Sequence, residues 1–458
     1  MHRRAAGLFA ALAAGRQGAR TLLIDRFGSL GGNIGPAMIV AGGLYGQSEG
    51  TLVGDLTGLP KELIDRLEET RTTQGTNYPE QTNLVSYLGV KLAQATGVEL
   101  LLSVWAADPI IEGDRVTGLF VEGKSGRVAV KARVVVDATA DVDLARRAGV
   151  PVITELPYDP SFAPLVRIRR PGVEYPVWND TALFYLIADV DLPTYEAYTT
   201  ERVPLSEDDL AWLKDRNAGG FPQPLLPVLR QAWESGAYRH IVHLEPHLWM
   251  ESVAQFKNFG SGLLGARLNV RGELRREDMK QHSRLEAEVR VHTVDTVQFF
   301  REHVPGFERA YLLFMAPYFG ARGGPCIEGE HTVTPHEAFT GQKFDDVMFR
   351  NIHEGLPEHG GDPSGFDAPY RMLLPKGMDG LLVTGRGAAY ARRGHDPTGM
   401  RSRPSIMALG EATGIAAALA ARPGATPKTL TVNLLQREML KQGYFLGDAD
   451  RLVVLGLS

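Results

Sequence analysis

Cysteine is almost absent from this sequence, because Cys326 is the single one among 458 residues. A lone thiol cannot form a disulfide within the chain, so nothing in the sequence points to an oxidising compartment. It also excludes a redox-active dithiol within the chain. Any redox chemistry must therefore come from a cofactor.

An excess of one charge and a long apolar run are also lacking. The chain has 49 basic and 54 acidic residues, a net charge of −5, which argues against a nucleic-acid-binding protein because such proteins normally carry a basic excess. No apolar run reaches the roughly 20 residues needed to span a bilayer. With 44% hydrophobic and 22% charged residues, the composition is that of a globular chain of roughly two to three domains. We expect a cytoplasmic protein without a membrane span.

The amino-terminal stretch admits two interpretations. Residues 1–4 followed by the alanine-rich run to Ala14 have the charge and apolarity of a short signal peptide. The same run also fits a helix, with Gly18 at the position of a left-handed cap and residues 20–25 as a buried strand. We favour the helix, because a signal peptide does not explain the unbroken order of helix, cap and strand.

Helix and strand patterns alternate at both ends of the chain. Leucines at helical spacing predict helices over residues 59–97, and the valine run over residues 132–137 is typical of a strand buried on both faces. A strand over 381–384 and a helix over 405–421 bring the α/β pattern back. Between the first helices and the valine run, turn residues at 113–114 and 123–126 separate predicted strands at 99–105, 109–112, 116–122 and 127–131.

Residues 151–315 differ in composition from both ends. Prolines are frequent, aromatic and charged residues are mixed, and the pattern over 275–301 predicts a charged, exposed helix. We interpret this region as a separate domain. A further short helix is predicted over 429–442.

One acidic residue stands where a dinucleotide-binding fold needs it. Asp25 ends the predicted strand and lies 18 residues after Gly7, close to the spacing of about 20 between the glycine fingerprint and the acid that binds ribose. A surface aspartate that merely ends a strand is the alternative. Residues 2–6 contain neither a first strand nor the other fingerprint glycines. Either the chain as written starts too late, or the protein has lost its phosphate-binding loop.

Five segments of the chain form a recognisable series: residues 22–33; 98–102 with 116–118; 134–145; Arg322 with 329–330 and 344–347; and 370–371, 374–377, 381–386 and 407–414. In this order they resemble the FAD-dependent oxidoreductases that are distantly related to the flavoprotein of fumarate reductase and succinate dehydrogenase. Two positions depart from that family's pattern: Ala140 replaces a usual glycine, and Gly323 with Gly324 replaces polar residues.

The resemblance implies an α/β fold with a FAD-binding Rossmann-like domain of the glutathione-reductase type, an inserted small β-sheet and a separate substrate domain. The implied bounds are a first part of the FAD-binding domain at 1–150, a substrate domain at 151–318, a closing part of the FAD-binding domain at 319–425 and a helical tail at 426–458.

The resemblance also implies which residues hold FAD. Asp25 would bind the adenosine ribose, Arg26 would line the adenine side, and Ala138 would lie against the adenine. The helix beginning near Pro404 would direct its positive amino end at the flavin, where negative charge accumulates on reduction. In isolation the carboxyl-terminal segments would equally suit a packed strand and helix. The expected cofactor-binding set is Gly7, Asp25, Arg26, Gly31, Gly32, Asn33, Ala138, Asp141, Gly385, Arg386, Pro404 and Ser405.

The candidate catalytic residues are Arg322, His395 and Arg401. The last two belong to a charged loop, with Arg392, Arg393 and Asp396, at the expected edge of the flavin site. An arginine there could bind a carboxylate through two hydrogen bonds, and His395 could carry a proton at neutral pH. These residues could equally be solvated loop charges. Three histidines, His240, His243 and His247, lack matching carboxylates, so we predict no metal site there.

The sequence therefore predicts a FAD-dependent oxidoreductase that transfers a hydride between bound flavin and a small organic substrate, with an electron-transfer partner as a further option. A flavin-free binding or scaffold protein on the same fold is the alternative that the absent glycine loop suggests. A nicotinamide-only dehydrogenase is disfavoured, because the cofactor motifs are spread over both ends of the chain.

Overall fold

The computed structural model describes most of the chain. The described residues are 5–37, 57–74, 80–154, 181–200, 206–215, 223–238, 243–245, 248–272, 274, 277–321, 324–351, 362, 364–390, 400 and 402–458.

Helices and strands occur in mixed order along these residues. The helices are α1 (Ala5–Arg16), α2 (Gly58–Gln74), α3 (Glu80–Ala95), α4 (Asp143–Arg147), α5 (Leu192–Thr200), α6 (Glu207–Asp215), α7 (Leu226–Glu234), α8 (Met279–His303), α9 (Pro335–Phe339), α10 (Arg403–Ala420), α11 (Val432–Lys441) and α12 (Ala449–Val454). The strands are β1 (Leu22–Asp25), β2 (Glu99–Leu102), β3 (Trp105–Glu112), β4 (Arg115–Gly123), β5 (Gly126–Lys131), β6 (Val135–Asp137), β7 (Val152–Ile153), β8 (Thr181–Ala188), β9 (His243–Glu245), β10 (Leu248–Asn258), β11 (Leu264–Gly272), β12 (Tyr311–Met315), β13 (Gly320–Ala321), β14 (Cys326–Ile327), β15 (Val347–Asn351), β16 (Phe366–Pro369) and β17 (Leu381–Val383).

The alanine-rich stretch near the amino terminus forms a helix, as predicted. Residues 5–14 of α1 are all buried, because small apolar side chains let neighbouring elements approach from every side. Gly18 has φ 77°, a left-handed conformation that favours glycine, and it turns the chain into β1. The helix, cap and strand order is confirmed.

Two short parallel pairs of strands lie at the centre of the α/β part. Strand β1 pairs with β2 from Leu22 opposite Glu99 to Asp25 opposite Leu102. Strand β17 pairs with β6 in the same parallel sense. The predicted strand over 132–137 is three residues long and fully buried. An antiparallel sheet in the order β3-β4-β5 confirms the predicted hairpins. The predicted strand 99–105 ends earlier, as β2, and the predicted strand 109–112 begins earlier, as β3.

Helices α1 and α10 pack more closely than ordinary helices because glycines and alanines face each other. A Cβ atom added to Gly410 would lie 2.5 Å from the backbone oxygen of Ala6, and one added to Gly414 would lie 2.1 Å from that of Ala10. Both distances are far below van der Waals contact. The two helices therefore run in the same direction, in register, and join the first and last thirds of the chain.

The buried apolar residues form two large clusters. The first core combines residues between 5 and 150 with residues between 327 and 444. The second core is built from residues between 183 and 319, around an antiparallel sheet in the order β12-β8-β11-β10-β9 with β13 also paired to β8. The domain boundaries at 150, 318 and 425 stay a prediction.

Helix α8 corrects one expectation. The charged pattern predicts an exposed helix over 275–301, but one face of α8 is buried in the second core, with Leu285, Val289 and Phe300 in it. The helix itself is confirmed, but its exposure is partial, because polar residues such as His292 and Thr293 are buried together with the apolar ones. The predicted helix over 429–442 is observed as α11, whereas α12 was not foreseen.

Candidate functional site

The carboxyl end of β1 holds the predicted ribose-binding acid. Asp25 is buried, and its Oδ1 accepts a hydrogen bond of 2.9 Å from the backbone nitrogen of Phe27. That bond fixes the turn that follows the strand. The carboxylate thereby sits at the edge where ligands bind in open parallel sheets.

An aromatic cluster surrounds Arg26. Its guanidinium carbon lies 4.6 Å from the ring centre of Phe27 and 5.0 Å from that of Trp105. Phe27 stacks on Tyr318, with ring centres 4.3 Å apart and planes 12° from parallel. The Arg26 Nε atom is buried and has no hydrogen-bond partner within the described part of the chain. The cluster offers flat surfaces and one available donor beside Asp25.

Sequence reasoning did not identify the aromatic members of this cluster. Trp105 follows β2 and is 54% exposed, so its ring is accessible from outside. Tyr318 belongs to the segment that follows the second core, and no local pattern links it to Phe27 nearly 300 residues earlier. The only available signal was the density of aromatic residues on both sides of the predicted boundary at 318.

A turn that begins with two glycines follows this cluster. Gly31 has φ 98° and Gly32 has φ 56°, both in the left-handed region, and Gly32–Ile34 forms one turn of 3₁₀ helix that contains Asn33. Ser86 anchors the turn through its Oγ, which accepts a hydrogen bond of 2.9 Å from the backbone nitrogen of Leu30. Because Gly31 and Gly32 have no Cβ atom, a phosphate or a flavin can come close to the backbone of this turn.

The carboxyl end of β6 forms a tight polar turn. Asp137 accepts hydrogen bonds from the backbone nitrogens of Thr139, at 2.7 Å, and Ala145, at 3.0 Å. Ala140 has φ 74° and Val142 has φ 53°, conformations that residues with a Cβ rarely adopt. Ala140 is the residue that replaces the glycine of the resembled motif, so the turn keeps the glycine-like conformation without the glycine. Ala138 is buried inside the same turn.

Two predicted site residues from distant parts of the chain meet in a buried ion pair. Arg386, which is 1% exposed, pairs through Nη2 with Oδ1 of Asp141 and donates to the backbone oxygen of Ala140 at 3.0 Å. Gly324 packs against the same guanidinium, because a Cβ added there would lie 2.8 Å from the guanidinium carbon. Beside this pair, burial and the carboxylates of Asp141 and Asp137 raise the pKa of Asp143 to about 7.

The amino end of α10 is capped by its own side chains. Ser402 Oγ accepts a hydrogen bond of 3.3 Å from the backbone nitrogen of Ser405. Ser405 Oγ in turn donates to Oδ1 of Asn351, at 2.5 Å, which ties the helix start to β15. Pro404 occupies the first turn, where its missing N–H costs nothing. The helix of 18 residues therefore presents a defined positive end.

The remaining predicted residues divide into two groups. Gly7 lies in the first turn of α1 and is buried, and Gly385, with φ 65°, begins a short turn that also contains Arg386. Helix α1 contacts both this turn and the Gly32–Ile34 turn. The candidate catalytic residues Arg322, His395 and Arg401 lie outside the described residues, as do Arg392, Arg393 and Asp396.

Comparison with known proteins decides the family. A family model described as FAD dependent oxidoreductase matches residues 4–439. The chain belongs to the FAD-dependent oxidoreductase family. Its cofactor is FAD, which favours the flavoprotein over the flavin-free alternative. No curated protein matches this flavoprotein.

Solved structures of other proteins resemble it at low identity. A geranylgeranyl bacteriochlorophyll reductase-like protein from Thermoplasma acidophilum is 14% identical, with a TM-score of 0.39, over 96% of this chain and 80% of the other. The p-nitrophenol 4-monooxygenase from Pseudomonas putida is 12% identical, with a TM-score of 0.40, over 99% and 90%. A flavoprotein/dehydrogenase from Cytophaga hutchinsonii is 13% identical, with a TM-score of 0.38, over 96% and 83%.

The described part of this flavoprotein fits an adenine dinucleotide. The buried Arg26 Nε beside the Asp25 carboxylate offers a donor and an acceptor for a nucleoside, and the left-handed Gly31 and Gly32 leave room for close approach. Within the described ranges no group of three or more histidine, cysteine or acidic residues is arranged to hold a metal ion. Nor does any helix there combine the length and the apolarity needed to cross a bilayer.

Proposed function

We propose that this FAD-dependent oxidoreductase moves a hydride between bound FAD and a small organic substrate. FAD, when bound, supplies the two-electron chemistry, and the protein supplies position and electrostatics. The observation that carries the proposal is the convergence of two glycine turns, Gly32–Ile34 and Gly385–Gly387, on one helix, α1. Because these turns come from opposite ends of the chain, their meeting suits a ligand that both must hold.

Each predicted residue has a role in this proposal. Asp25 and Arg26 would hold the adenosine, with Ala138 against the adenine. Backbone amides of Gly31, Gly32 and Asn33 would approach the pyrophosphate or flavin, and Gly7 would let the start of α1 do the same. Asp141, Gly385 and Arg386 would border the ribityl chain, while the end of α10 at Pro404 and Ser405 would stabilise negative charge on the reduced ring.

The substrate side rests on the sequence alone. We place the substrate between the region 151–318 and the flavin, with Arg322 and Arg401 binding a carboxylate and His395 transferring a proton. The kinship to the fumarate reductase flavoprotein belongs to the same proposal, as does an external electron-transfer partner.

The test begins with the visible absorption spectrum of the purified chain, before and after FAD is added. Flavin bands that remain after gel filtration, and that small organic acids or alcohols bleach without oxygen, would support the proposal. If the protein retains no FAD after reconstitution, the proposed hydride transfer is wrong.

A variant of the ribose-binding acid sharpens this test. Asp25→Asn removes a charged acceptor, so we expect FAD binding to weaken by about tenfold or more, since a hydrogen bond to a charged group contributes about 1.5–3 kcal/mol. Asp65→Asn, at an exposed position of α2, is the matched control. Dissociation constants from flavin fluorescence titration measure the difference, and equal constants for both variants would remove Asp25 from the site.

A further inference from the structure

Helix α8 has a second apolar face, on the side opposite to the second core. The face inside the core contains Leu285, Val289 and Phe300. Because an α-helix turns by about 100° per residue, Val291 and Val294 point away from that face, and they are 64% and 52% exposed. A helix that covers one core needs only one apolar stripe. The second stripe therefore has no function in the packing of this core.

The outer face has the spacing of a helix that packs against another helix. Exposed residues follow one another along it in alternate steps of four and three, with apolar side chains in the middle. These residues are Lys280, Arg284, Ala287, Val291, Val294 and Gln298. Such steps keep the side chains on the line of contact between two helices that cross at about 20°. We call these six residues the outer seam of α8.

Strand β12 widens the apolar surface on one flank of the outer seam. Arg290 Nη2 donates a hydrogen bond of 2.9 Å to the backbone oxygen of Pro317, so the chain that leaves β12 lies against α8 one turn from Val294. Leu313 and Phe314 of this strand are 49% and 44% exposed. Single exposed apolar residues are common on protein surfaces, whereas apolar surface shared by neighbouring elements is typical of protein–protein interfaces.

The charges along the outer seam are ordered by sign. Lys280 and Arg284 lie in the amino-terminal half of α8, whereas the exposed Asp295 and Glu302 lie in the carboxyl-terminal half. At about 100° per residue, Arg284, Asp295 and Glu302 share one flank of the seam. A two-fold axis between antiparallel helices brings the same flank of both copies together, so basic residues of one copy meet acidic residues of the other. A parallel pair would instead place Lys280 opposite Lys280.

We propose that two copies of this flavoprotein form a symmetric dimer in which their α8 helices pack antiparallel along the outer seam. Ala287 of one copy then lies opposite Val291 of the other, and Arg284 lies beside Asp295 of the other. A second copy fits the seam because one surface carries both halves of the charge pattern, as an interface between identical faces requires.

The size of this interface sets the expected strength of the dimer. Helix α8 has 25 residues and is about 37 Å long. One helix pair bordered by a strand lies near the lower limit of stable interfaces, about 1,200 Å² in total. We therefore expect a dissociation constant in the micromolar range.

Sedimentation velocity of the full chain, from about 1 to 100 μM, tests this dimer. We expect the average mass to rise with concentration from that of one chain towards twice that mass. Val291→Lys places a charge at the centre of the seam, so it should raise the dissociation constant by about tenfold or more. The control is Val128→Lys, at a valine of β5 that is 48% exposed, and it should leave the constant unchanged. The mass of one chain at every concentration, or equal constants for both variants, would overturn the proposal.

Charge reversal tests the antiparallel arrangement separately. Arg284→Asp and Asp295→Arg each place like charges beside each other across the seam, so each alone should weaken the dimer by about fivefold. The chain with both substitutions regains the pairs with their signs exchanged, and its dissociation constant should return to about that of the parent. A double variant as weak as the single ones would contradict the antiparallel pairing. No readout here involves flavin, so the result is independent of the proposed function.

Discussion

The two cores are assembled in opposite ways. The first core brings together residues from both ends of the chain, and its sheet is divided into two parallel pairs. The second core uses one continuous stretch folded into an antiparallel sheet, with α8 packed on it. In the first core several buried polar residues, such as Asp25, Asp137 and Ser405, lie at strand ends and helix starts. In the second they lie inside: Ser252 Oγ is 2.5 Å from Nε2 of buried His292, and Tyr238 stacks on that ring.

This difference indicates which core can hold a ligand-binding site. Polar groups at the ends of strands are held by the fold yet face a border that a ligand can approach, as Asp25 and Asp137 do. Polar groups enclosed between a sheet and a helix satisfy one another and specify the packing of that layer. The proposed cofactor site lies in the first core, and the following variants test whether the two cores respond separately.

We expect Asp141→Ala to cause the largest loss of stability. It leaves the Arg386 guanidinium, 1% exposed, without its carboxylate, and removing one partner of a buried pair typically costs about 3–5 kcal/mol. Thermal unfolding without FAD measures the loss. Asp108→Ala, which breaks an ion pair with Arg127 whose two side chains are about half exposed, is the control and should cost less than about 1 kcal/mol. Equal effects would mean that burial of the Arg386 pair contributes nothing.

Gly414→Ala should cause the next largest loss of stability. Its Cβ would overlap the backbone oxygen of Ala10, which cannot rotate away, so α1 and α10 must separate at a cost of about 1–3 kcal/mol. Gly89→Ala is the matched helical control, because the atoms nearest to its Cβ would be side-chain atoms of Leu8, at 3.1 and 3.4 Å, and of Leu30, at 3.5 Å, and not backbone. Trp212 is buried in the second core and Trp233 packs against it, so their fluorescence follows that core and should change little. A matching shift in tryptophan fluorescence would show that the cores unfold together.

We predict that the stability of the first core depends on pH because of buried Glu411. Burial raises its pKa to about 7, against hydrogen bonds from Tyr444 and the backbone of Leu59 that act to lower it. A carboxyl group whose pKa is higher in the folded state binds more protons when folded, so stability falls as pH rises from about 4.5 to 7. Asp143 adds to the same slope.

Glu411→Gln isolates that contribution. The amide keeps an oxygen that can accept both hydrogen bonds and carries no charge, so we expect the stability advantage of the variant over the parent to be about 2 kcal/mol larger at pH 8 than at pH 5. Unfolding by denaturant at both pH values measures the difference. A parent and variant with the same pH profile would contradict the assignment.

The smallest effect should come from the second core. Ser252→Ala removes a hydrogen-bond partner of His292 and should cost about 1–2 kcal/mol. Tryptophan fluorescence should report this loss, while FAD binding by the first core should be unchanged. Ser235→Ala, at an exposed position after α7, serves as the control. Loss of FAD affinity in the Ser252 variant would show that the two cores do not respond independently.

Local patterns predicted the first core well and the second poorly. The alanine run and Gly18 were enough for α1 and β1, because helix, cap and strand each leave a short-range signal. Helix α8 misled, since His292 and Thr293 are polar residues whose partners lie on other elements. The pairing of Arg386 with Asp141, 245 residues apart, has no local signal at all. The resemblance placed both residues near the cofactor, but their mutual contact follows only from the folded chain.

The close fit of α1 against α10 also sets the order of events during synthesis. The glycines that receive Ala6 and Ala10 leave the ribosome roughly 400 residues after them, which is about 20–80 s later at ordinary rates of translation. During that time α1 cannot pack against α10, because α10 has not yet been synthesised. The face that later meets Gly410 and Gly414 is formed by Ala6 and Ala10, so it exposes less apolar area during that time than a face of large side chains would.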